Sequence, residues 1–410
     1  MIQALDLKID FPLATDGDIA VTNLQSARQQ SWSRFWQAPQ RAGIAEYIVE
    51  QEHLTSQFLG DLCAFDRLEM LGKNLASTDV DPSRLALIHA QVASMMHRFA
   101  EARNYLAQAH EQVAPPGSVN RLSLAIDQAC GTHLEAVLDV RRRIAAESGR
   151  LEDLIPLGAL FADLREFEEA ERVYVQAIQQ YQDVSPFALA WACFQLGVLW
   201  GELLPNPQPI RAAQCYRKAI AYLPCYVKAR VHLAEIYSQD GRTGEAEALL
   251  VPALAAGDPE VNWRLAEVFN ASGRFADAEA QMQAARSGFE NLLERHLLAF
   301  ADHGAEFYSG SGNEVQKALE LTRINVANRP TLRAFEQAFA IAIKAGEPQV
   351  ASEILDIAEK RWGWTAAFRR SPLAAHGSDC GSYEGDAGTD QSISVPRRSI
   401  KNAVNQGVPI

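Results

Sequence analysis

The sequence predicts an all-α chain in which pairs of helices stack into an α-solenoid. One observation is internal repetition, because AEIYSQDGRTGEAEALLVPAL (234–254) is followed by AEVFNASGRFADAEAQMQAA (266–285). A second is that apolar residues in these stretches recur three and four positions apart, which is the spacing of one helix face. The third is length, since 410 residues exceed the usual size of one compact core and favour several domains or an elongated array.

Each repeat unit has the pattern of two helices joined by a tight turn. Gly241 and Gly273 occupy the turns, where glycine permits a left-handed backbone. In one second helix Ala246, Leu250 and Ala253 fall on a single face, and the small alanines allow close approach of the first helix. A single pair of this kind cannot bury its apolar face alone, so each unit must stack on a near copy.

The repeated pattern resembles the tetratricopeptide repeat (TPR) family, in which a Leu-Gly or Leu-Ala pair, an aromatic residue and second-helix alanines recur about every 34 residues. The residues that carry the resemblance are, unit by unit, Leu157, Gly158, Phe161, Ala170, Tyr174 and Ala177; Leu196, Gly197, Trp200, Ala212, Tyr216, Ala219 and Pro224; Leu233, Ala234 and Tyr237; and Leu265, Ala266 and Phe269. The resemblance implies a right-handed α-solenoid whose concave groove binds a peptide or protein segment.

Weaker matches flank these units, and about seven or eight helix pairs are expected in all. The N-terminal extension carries Leu5, Leu7, Ile9 and Phe11 in alternation with polar residues, and a turn follows before 19–21. This pattern predicts a short β-hairpin or one strand laid against the first helices, with disorder as the alternative. The predicted divisions are 1–39 as extension, 40–150 as diverged helix pairs, 151–290 as well-matched repeats, 291–370 as diverged repeats with a capping helix, and 371–410 as a disordered tail rich in glycine and serine.

Composition restricts the classes of partner and compartment. A formal net charge of −13 provides no basic field for phosphate binding, so no nucleic-acid partner is expected. The six cysteines lack CxxC spacing and indicate reduced thiols in a cytoplasmic protein, as does an N-terminus without the pattern of a secretory signal. The apolar stretch 187–201 is shorter than the roughly 20 residues that cross a bilayer, so a buried helix is expected in place of membrane insertion.

The sequence contains no motif typical of catalysis. It lacks GxxxxGK[ST], a strand-linked GxGxxG, HExxH and GxSxG, and His296 and His303 are too weak a pattern to predict a metal site. We therefore expect no catalytic residue, no cofactor and no metal. An enzyme with an unfamiliar site remains an alternative, and a bound cofactor would reveal it.

The resemblance places the partner site on the first helices of successive units. The expected groove residues are Trp191, Phe194, Val198, Lys228, Val231, Glu235, Glu260, Trp263, Glu267 and Asn270. For Phe194, Val231 and Trp263, packing between helices is an equal alternative.

Carboxylate-clamp co-chaperones place lysine and asparagine at the fifth and ninth positions of the first clamp repeat. The matched units here carry apolar or acidic residues at those positions, namely Ile155 and Ala159, Phe194 and Val198, Val231 and Glu235, and Trp263 and Glu267. They favour a partner segment with hydrophobic side chains and basic neighbours. The leading functional hypothesis is a TPR-type protein-interaction scaffold. The alternative is an accessory subunit that presents a substrate protein to a separately encoded enzyme. The oligomeric state is left open.

Overall fold

A computed structural model describes residues 9–377, and that part of the chain contains helices and connecting turns but no β-strand. In chain order the helices are α1 (Gly17–Gln37), α2 (Ile44–Leu59), α3 (Ala64–Ala76), α4 (Pro82–Met95), α5 (Phe99–Glu111), α6 (Pro116–Ala129), α7 (Leu134–Ser148), α8 (Leu151–Asp163), α9 (Phe167–Gln179), α10 (Pro186–Val198), α11 (Pro209–Tyr222), α12 (Val227–Gln239), α13 (Thr243–Leu250), α14 (Pro259–Ala271), α15 (Phe275–Ser309), α16 (Val315–Asn328), α17 (Leu332–Lys344), α18 (Pro348–Trp362), α19 (Ala366–Arg369) and α20 (Pro372–Gly377).

Consecutive helices pack as hairpins, as the repeats predict. The pairs run from α2 with α3 to α17 with α18, and α14 also packs along α15. The α15 helix has a break at His296, whose φ of −137° and ψ of 49° are not helical. Its first half therefore closes one unit and its second half opens the next. No glycine or proline lies at the break, so the sequence did not reveal this boundary between two units. Nine hairpins form within the described residues, against the seven or eight expected.

Glycine is required at the Leu-Gly positions of the repeat because an aromatic ring packs against the glycine backbone. A Cβ added to Gly158 would lie 2.5 Å from Tyr174 Cε1, and one added to Gly197 would lie 2.5 Å from Tyr216 Cε1. Both tyrosines are about 1% exposed and belong to the second helix of the same hairpin. The glycine therefore lets the tyrosine ring of the second helix pack directly against the backbone of the first helix.

Substituting Gly197→Ala is expected to lower the free energy of unfolding by about 1 to 3 kcal/mol, because the added methyl group overpacks the Tyr216 ring. Gly117→Ala is the matched control, since no atom beyond its chain neighbours and the backbone of its own helix lies within 4 Å of the added Cβ. It should be neutral or stabilising by up to about 1 kcal/mol from helix propensity. Urea denaturation of both variants measures the difference, and equal midpoints would contradict the contact.

The N-terminal helices pack against helices far along the chain. Phe65 of α3 meets Phe300 of α15 edge-on, with ring centroids 5.7 Å apart. Phe58 of α2 lies 4.8 Å from the ring of Tyr226, at the start of α12. Asn328 Nδ2 donates to the carbonyl oxygen of His97 at 2.9 Å. These contacts therefore join residues that are some 170 to 235 positions apart in the sequence.

The predicted N-terminal hairpin does not form within the described residues. Residues 19–21, expected as its second strand, lie in α1, because the Asp16 carboxylate caps that helix by accepting from the N–H groups of Asp18 and Ile19. Ile9 and Phe11 have no regular secondary structure but pack against the main core. Leu5 and Leu7 lie outside the described residues, as does the predicted tail apart from the segment that ends with α20.

One stretch passes a length and composition test for a membrane span. Pro186–Leu203 is an 18-residue window with a mean hydropathy of 1.2, and 78% of it is buried inside the folded chain. A core helix passes the same test, so this result is weak evidence for a span. The burial agrees with the buried helix predicted over 187–201.

Candidate functional site

Most of the predicted groove residues lie inside the protein. Trp191, Phe194, Val198, Val231, Glu235 and Trp263 are buried, Lys228, Glu260 and Glu267 are half-buried, and Asn270 is exposed. Trp263 packs edge-on against Phe307 with ring centroids 5.4 Å apart. Phe194 contacts Tyr226 at 5.2 Å. These two aromatic side chains thus pack between helices, the alternative that the sequence left equal to exposure.

A cavity of about 780 Å³ lies within the described part of the chain. One wall comes from the end of α10, from α11 and from α12, and it includes Glu202, His232 and Glu235. The opposite wall comes from the α8–α9 turn and α17. Apolar and proline side chains complete the lining, among them Leu203, Leu204, Pro205, Pro207, Pro209, Ile236, Phe339, Ile343 and Trp362.

A π-helical turn places Glu202 in this wall. The turn spans Leu199–Leu203 directly after α10, and the proline-rich insertion follows it. The Gln208 N–H donates to the carbonyl oxygen of Trp200 at 2.7 Å, which folds the insertion back on the turn. Single π-helical turns inside α-helices are rare and occur frequently at functional sites. The insertion that breaks the repeat period therefore forms an edge of the cavity.

Glu202 begins a chain of buried polar side chains. Tyr216 Oη donates to Glu202 Oε1 at 3.2 Å, and His232 Nδ1 lies 2.7 Å from the same oxygen. Glu235 Oε2 is 3.7 Å from His232 Nδ1. The side chains of Glu202, His232 and Glu235 are only 5%, 4% and 6% exposed. Two carboxylates thus converge on one imidazole in a largely desolvated wall.

Arg264 extends this group of buried polar side chains and contacts several carboxylates. Its Nη2 lies 2.7 Å from Glu235 Oε1 and 3.3 Å from Glu306 Oε1. Glu260 and Glu267 lie 3.7 and 3.4 Å from the same guanidinium. The guanidinium also stacks over the ring of Trp263 at 3.5 Å. The predicted groove residues Glu235, Glu260, Glu267 and Trp263 therefore meet around one arginine that the sequence did not single out.

The pKa values follow from burial and from this excess of carboxylates. Burial raises the pKa of Glu306 to about 8, and nearby carboxylates add to that effect while Arg264 opposes it. For His232, burial alone would lower the pKa, but the charges of Glu202 and Glu235 outweigh it and the pKa is raised. At neutral pH the cluster therefore holds a protonated Glu306 and a histidine biased toward its cationic form.

Protonation of Glu306 should make stability fall as the pH rises. Its folded pKa, about 8, exceeds the ordinary glutamate value of 4.5, so between these values the folded state binds more protons than the unfolded state. The stabilisation is complete below about pH 4.5 and is lost by up to about 1.4 kcal/mol per pH unit as the pH approaches 8. Glu306→Gln should flatten this dependence in urea denaturation at several pH values. An unchanged slope would contradict the assignment.

The opposite wall carries equal numbers of basic and acidic side chains. Arg165 forms an ion pair with Glu336, and the carbonyl oxygen of Arg165 accepts from Arg370 Nη1 at 3.2 Å. Burial raises the pKa of Asp163 to about 6, and burial lowers the pKa of Arg333. Two cations and two carboxylates thus face the cavity from α17 and the α8–α9 turn.

A second, smaller cavity of about 100 Å³ is lined by residues of α2 to α6, α12, α14 and α15. His53, Lys228, Asp258 and Glu260 line it. Burial lowers the pKa of His53 to about 4, and burial raises the pKa of Asp258 to about 6. The predicted groove residue Lys228 therefore lines a cavity to which α2 of the same chain also contributes. No group of three potential metal ligands occurs within residues 9–377.

Comparisons with known proteins gave alignments with solved structures. No family model matches the sequence, and no curated protein sequence matches it. A crystal structure described as the APC/C hetero-tetramer Cut9–Hcn1 aligns at 14% identity and a TM-score of 0.41, over 85% of this chain and 65% of that chain. The chain thus spans less than two thirds of the length of that protein.

Two further solved structures align with the chain. The human IFIT1 dimer with m7Gppp-AAAA aligns at 14% identity and a TM-score of 0.38, over 86% of each chain. Pseudomonas aeruginosa pilF aligns at 17% identity and a TM-score of 0.28, over 55% of this chain and 97% of that one. Such distant likenesses carry no inference about function. The chain is an α-solenoid of TPR-like helix hairpins. Its own packing, with a glycine under a tyrosine in successive units, shows this.

Sequence reasoning missed Glu202, His232, Arg264 and Glu306 as members of the site. The extra prolines after Glu202 were the one available signal, because they interrupt the repeat period at this unit. The other three lie in ordinary helical patterns. Only the packed structure brings them together.

Proposed function

We propose that this chain is a non-catalytic, TPR-type scaffold that captures a segment of a partner protein in the 780 Å³ cavity. The proposal rests on the cavity itself. Its wall contains apolar side chains next to the buried polar side chains of Glu202, His232 and Glu235. Its volume falls in the range of about 300 to 1,000 Å³ that is usual for ligand pockets. That space accommodates a few side chains of an inserted segment.

The position of the predicted groove residues supports entry at the cavity over binding along an open groove. Trp191, Phe194 and Val198 are no more than 4% exposed, so a peptide would have to displace core packing to contact them. Glu235 is the predicted groove residue that lines the large cavity. Ile343 is 51% exposed and also lines it, which gives a partner an apolar contact at the surface.

A peptide-display selection tests this proposal. Random linear peptides are selected on the purified full chain and then measured against Ala340→Trp, which places an indole in the cavity lining. Ala248→Trp is the matched control, because Ala248 is an exposed helical alanine away from the cavity. Selected peptides should bind the wild type and Ala248→Trp but lose binding to Ala340→Trp. Equal binding to both variants, or no enriched peptide, would refute capture in the cavity.

The remaining parts of the proposal rest on sequence expectations. We propose a cytoplasmic location, without nucleic-acid partners or membrane insertion, and the free thiols of Cys63, Cys130, Cys193, Cys215 and Cys225 are compatible with a reducing compartment. The accessory-subunit hypothesis, in which a captured protein is presented to a separate enzyme, stays a prediction that copurification can test.

A further inference from the structure

We propose that the wall formed by Glu202, His232 and Glu235 is a recognition site for the cationic side chain of an arginine or lysine in the partner segment. This inference rests on the proposed function and specifies the chemistry that the cavity selects. Four observations support it: an unmatched carboxylate oxygen, an excess of negative charge, access from the cavity, and apolar side chains placed for an aliphatic stem.

The unmatched oxygen is Oε2 of Glu202. Within the described residues it is buried and has no hydrogen-bond partner, while Oε1 of the same carboxylate interacts with Tyr216 and His232. The side chain is 5% exposed, so water has little access to it. A buried carboxylate oxygen without a donor is costly, and buried acceptors in proteins are normally matched. A donor delivered by a ligand would satisfy it.

The charge excess comes from the neighbours of Arg264. With Glu306 protonated, four carboxylates remain in the cluster and face Arg264 and His232, while Lys228, which lies near Glu260, is matched by Asp258. The carboxylates are Glu202, Glu235, Glu260 and Glu267. The far wall holds two cations, Arg165 and Arg333, and two carboxylates, Asp163 and Glu336, and Arg333 also interacts electrostatically with Glu202. Counted over both walls, the carboxylates still outnumber the cations. The cluster thus presents a net negative potential from a poorly hydrated surface.

The form of the site favours an organic cation over a metal ion. Glu202, His232 and Glu235 all line the large cavity, next to Leu203, Leu204 and Ile236. Arginine and lysine side chains pack their methylene stems on such apolar surface and direct their donors at carboxylates. The described residues hold no group of three metal ligands, and Arg264 already occupies the far side of Glu235.

Binding of a cation here has a proton signature. A positive charge near Glu202 and Glu235 reduces the repulsion that helps to hold the Glu306 proton, so the pKa of Glu306 should fall and a proton should leave at neutral pH. The number of protons released or taken up on binding is the slope of the binding enthalpy plotted against the ionisation enthalpy of the buffer. This readout would not respond to a purely structural role of Glu202.

The test uses the full chain and two capped amino acids, N-acetyl-arginine N-methylamide and its citrulline counterpart, which is nearly isosteric but neutral. The variants are Glu202→Gln and the matched control Glu168→Gln, since Glu168 is an exposed glutamate outside the cavity. Isothermal titration in two buffers measures affinity and proton release, and thermal denaturation confirms that each variant is folded. Glu235→Gln serves as the second variant if Glu202→Gln does not fold.

The arginine probe should bind the wild type and Glu168→Gln with release of a proton, and the citrulline probe should bind about tenfold or more weakly. Glu202→Gln should weaken the arginine probe by a similar factor. Equal affinity of the two probes, or equal affinity of the two variants, overturns the inference. Peptides that need the cavity but contain no required arginine or lysine would leave capture standing and refute cation recognition alone.

Discussion

Replacing Arg264 with methionine is expected to lower the free energy of unfolding by about 3 to 5 kcal/mol at neutral pH. The guanidinium is 9% exposed and lies within 4 Å of carboxylate oxygens from Glu235, Glu260 and Glu306. Methionine fills a similar volume over Trp263 but leaves the Glu235 and Glu260 carboxylates without their cation, while the protonated Glu306 loses only a hydrogen-bond partner. The loss is therefore mainly the cost of uncompensated buried charge.

The pH dependence of this loss distinguishes charge from packing. Without Arg264 the carboxylates should have folded-state pKa values above their unfolded values, so they stabilise the folded state at low pH and cease to do so as the pH rises. The deficit of Arg264→Met should consequently shrink toward pH 5 and grow toward pH 8. Arg172→Met, which removes an exposed ion pair with Glu169, serves as the control with little expected change. A deficit that is independent of pH would show that packing dominates.

Truncating Phe300 to alanine should cost about 3 to 5 kcal/mol, because this ring is 7% exposed and fills the joint between α15 and α3. Phe65→Ala should have a comparable effect. Since the two rings touch edge-on, the double variant should be less destabilised than the sum of the single variants by about 0.5 to 1.5 kcal/mol. Urea denaturation of the four proteins measures this coupling energy.

Phe275→Ala is the control for general sensitivity to phenylalanine loss, because Phe275 is 69% exposed at the start of α15. It should change stability little. Additive effects of Phe65→Ala and Phe300→Ala would mean that α3 and α15 are apart in solution. That result would favour an extended array in which only sequence neighbours touch.

The repeat pattern predicted the local structure because its cause is local. Gly158 lies under Tyr174 and Gly197 under Tyr216 in the hairpins where the pattern placed them, and short-range packing alone requires both pairs. The N-terminal hairpin prediction failed for a local reason too. Asp16 is a helix cap, and the alternation of Ile9 and Phe11 reflects packing on the core without a strand partner.

The site could be predicted only in part, because its geometry depends on how successive units curve. Glu235 and Glu260 were predicted as partner-binding positions, and in the structure both lie beside Arg264. The sequence carries no measure of the superhelical curvature that brings Phe58 of α2 against Tyr226. Residues that an open array would expose are therefore buried, and Arg264 gains partners from two other hairpins.

The central claim is that the predicted concave face of the central repeats is buried, so that a partner must enter at the cavity. Thiol accessibility at the predicted concave positions tests this claim most directly. Cysteine is introduced at Val198, which is 1% exposed, and separately at Asn270, which is exposed. Maleimide labelling of the folded chain is followed at each site by peptide mass spectrometry. We predict rapid modification at position 270 and protection at position 198 until denaturant is added. Equal labelling of both positions in the folded protein would contradict the account.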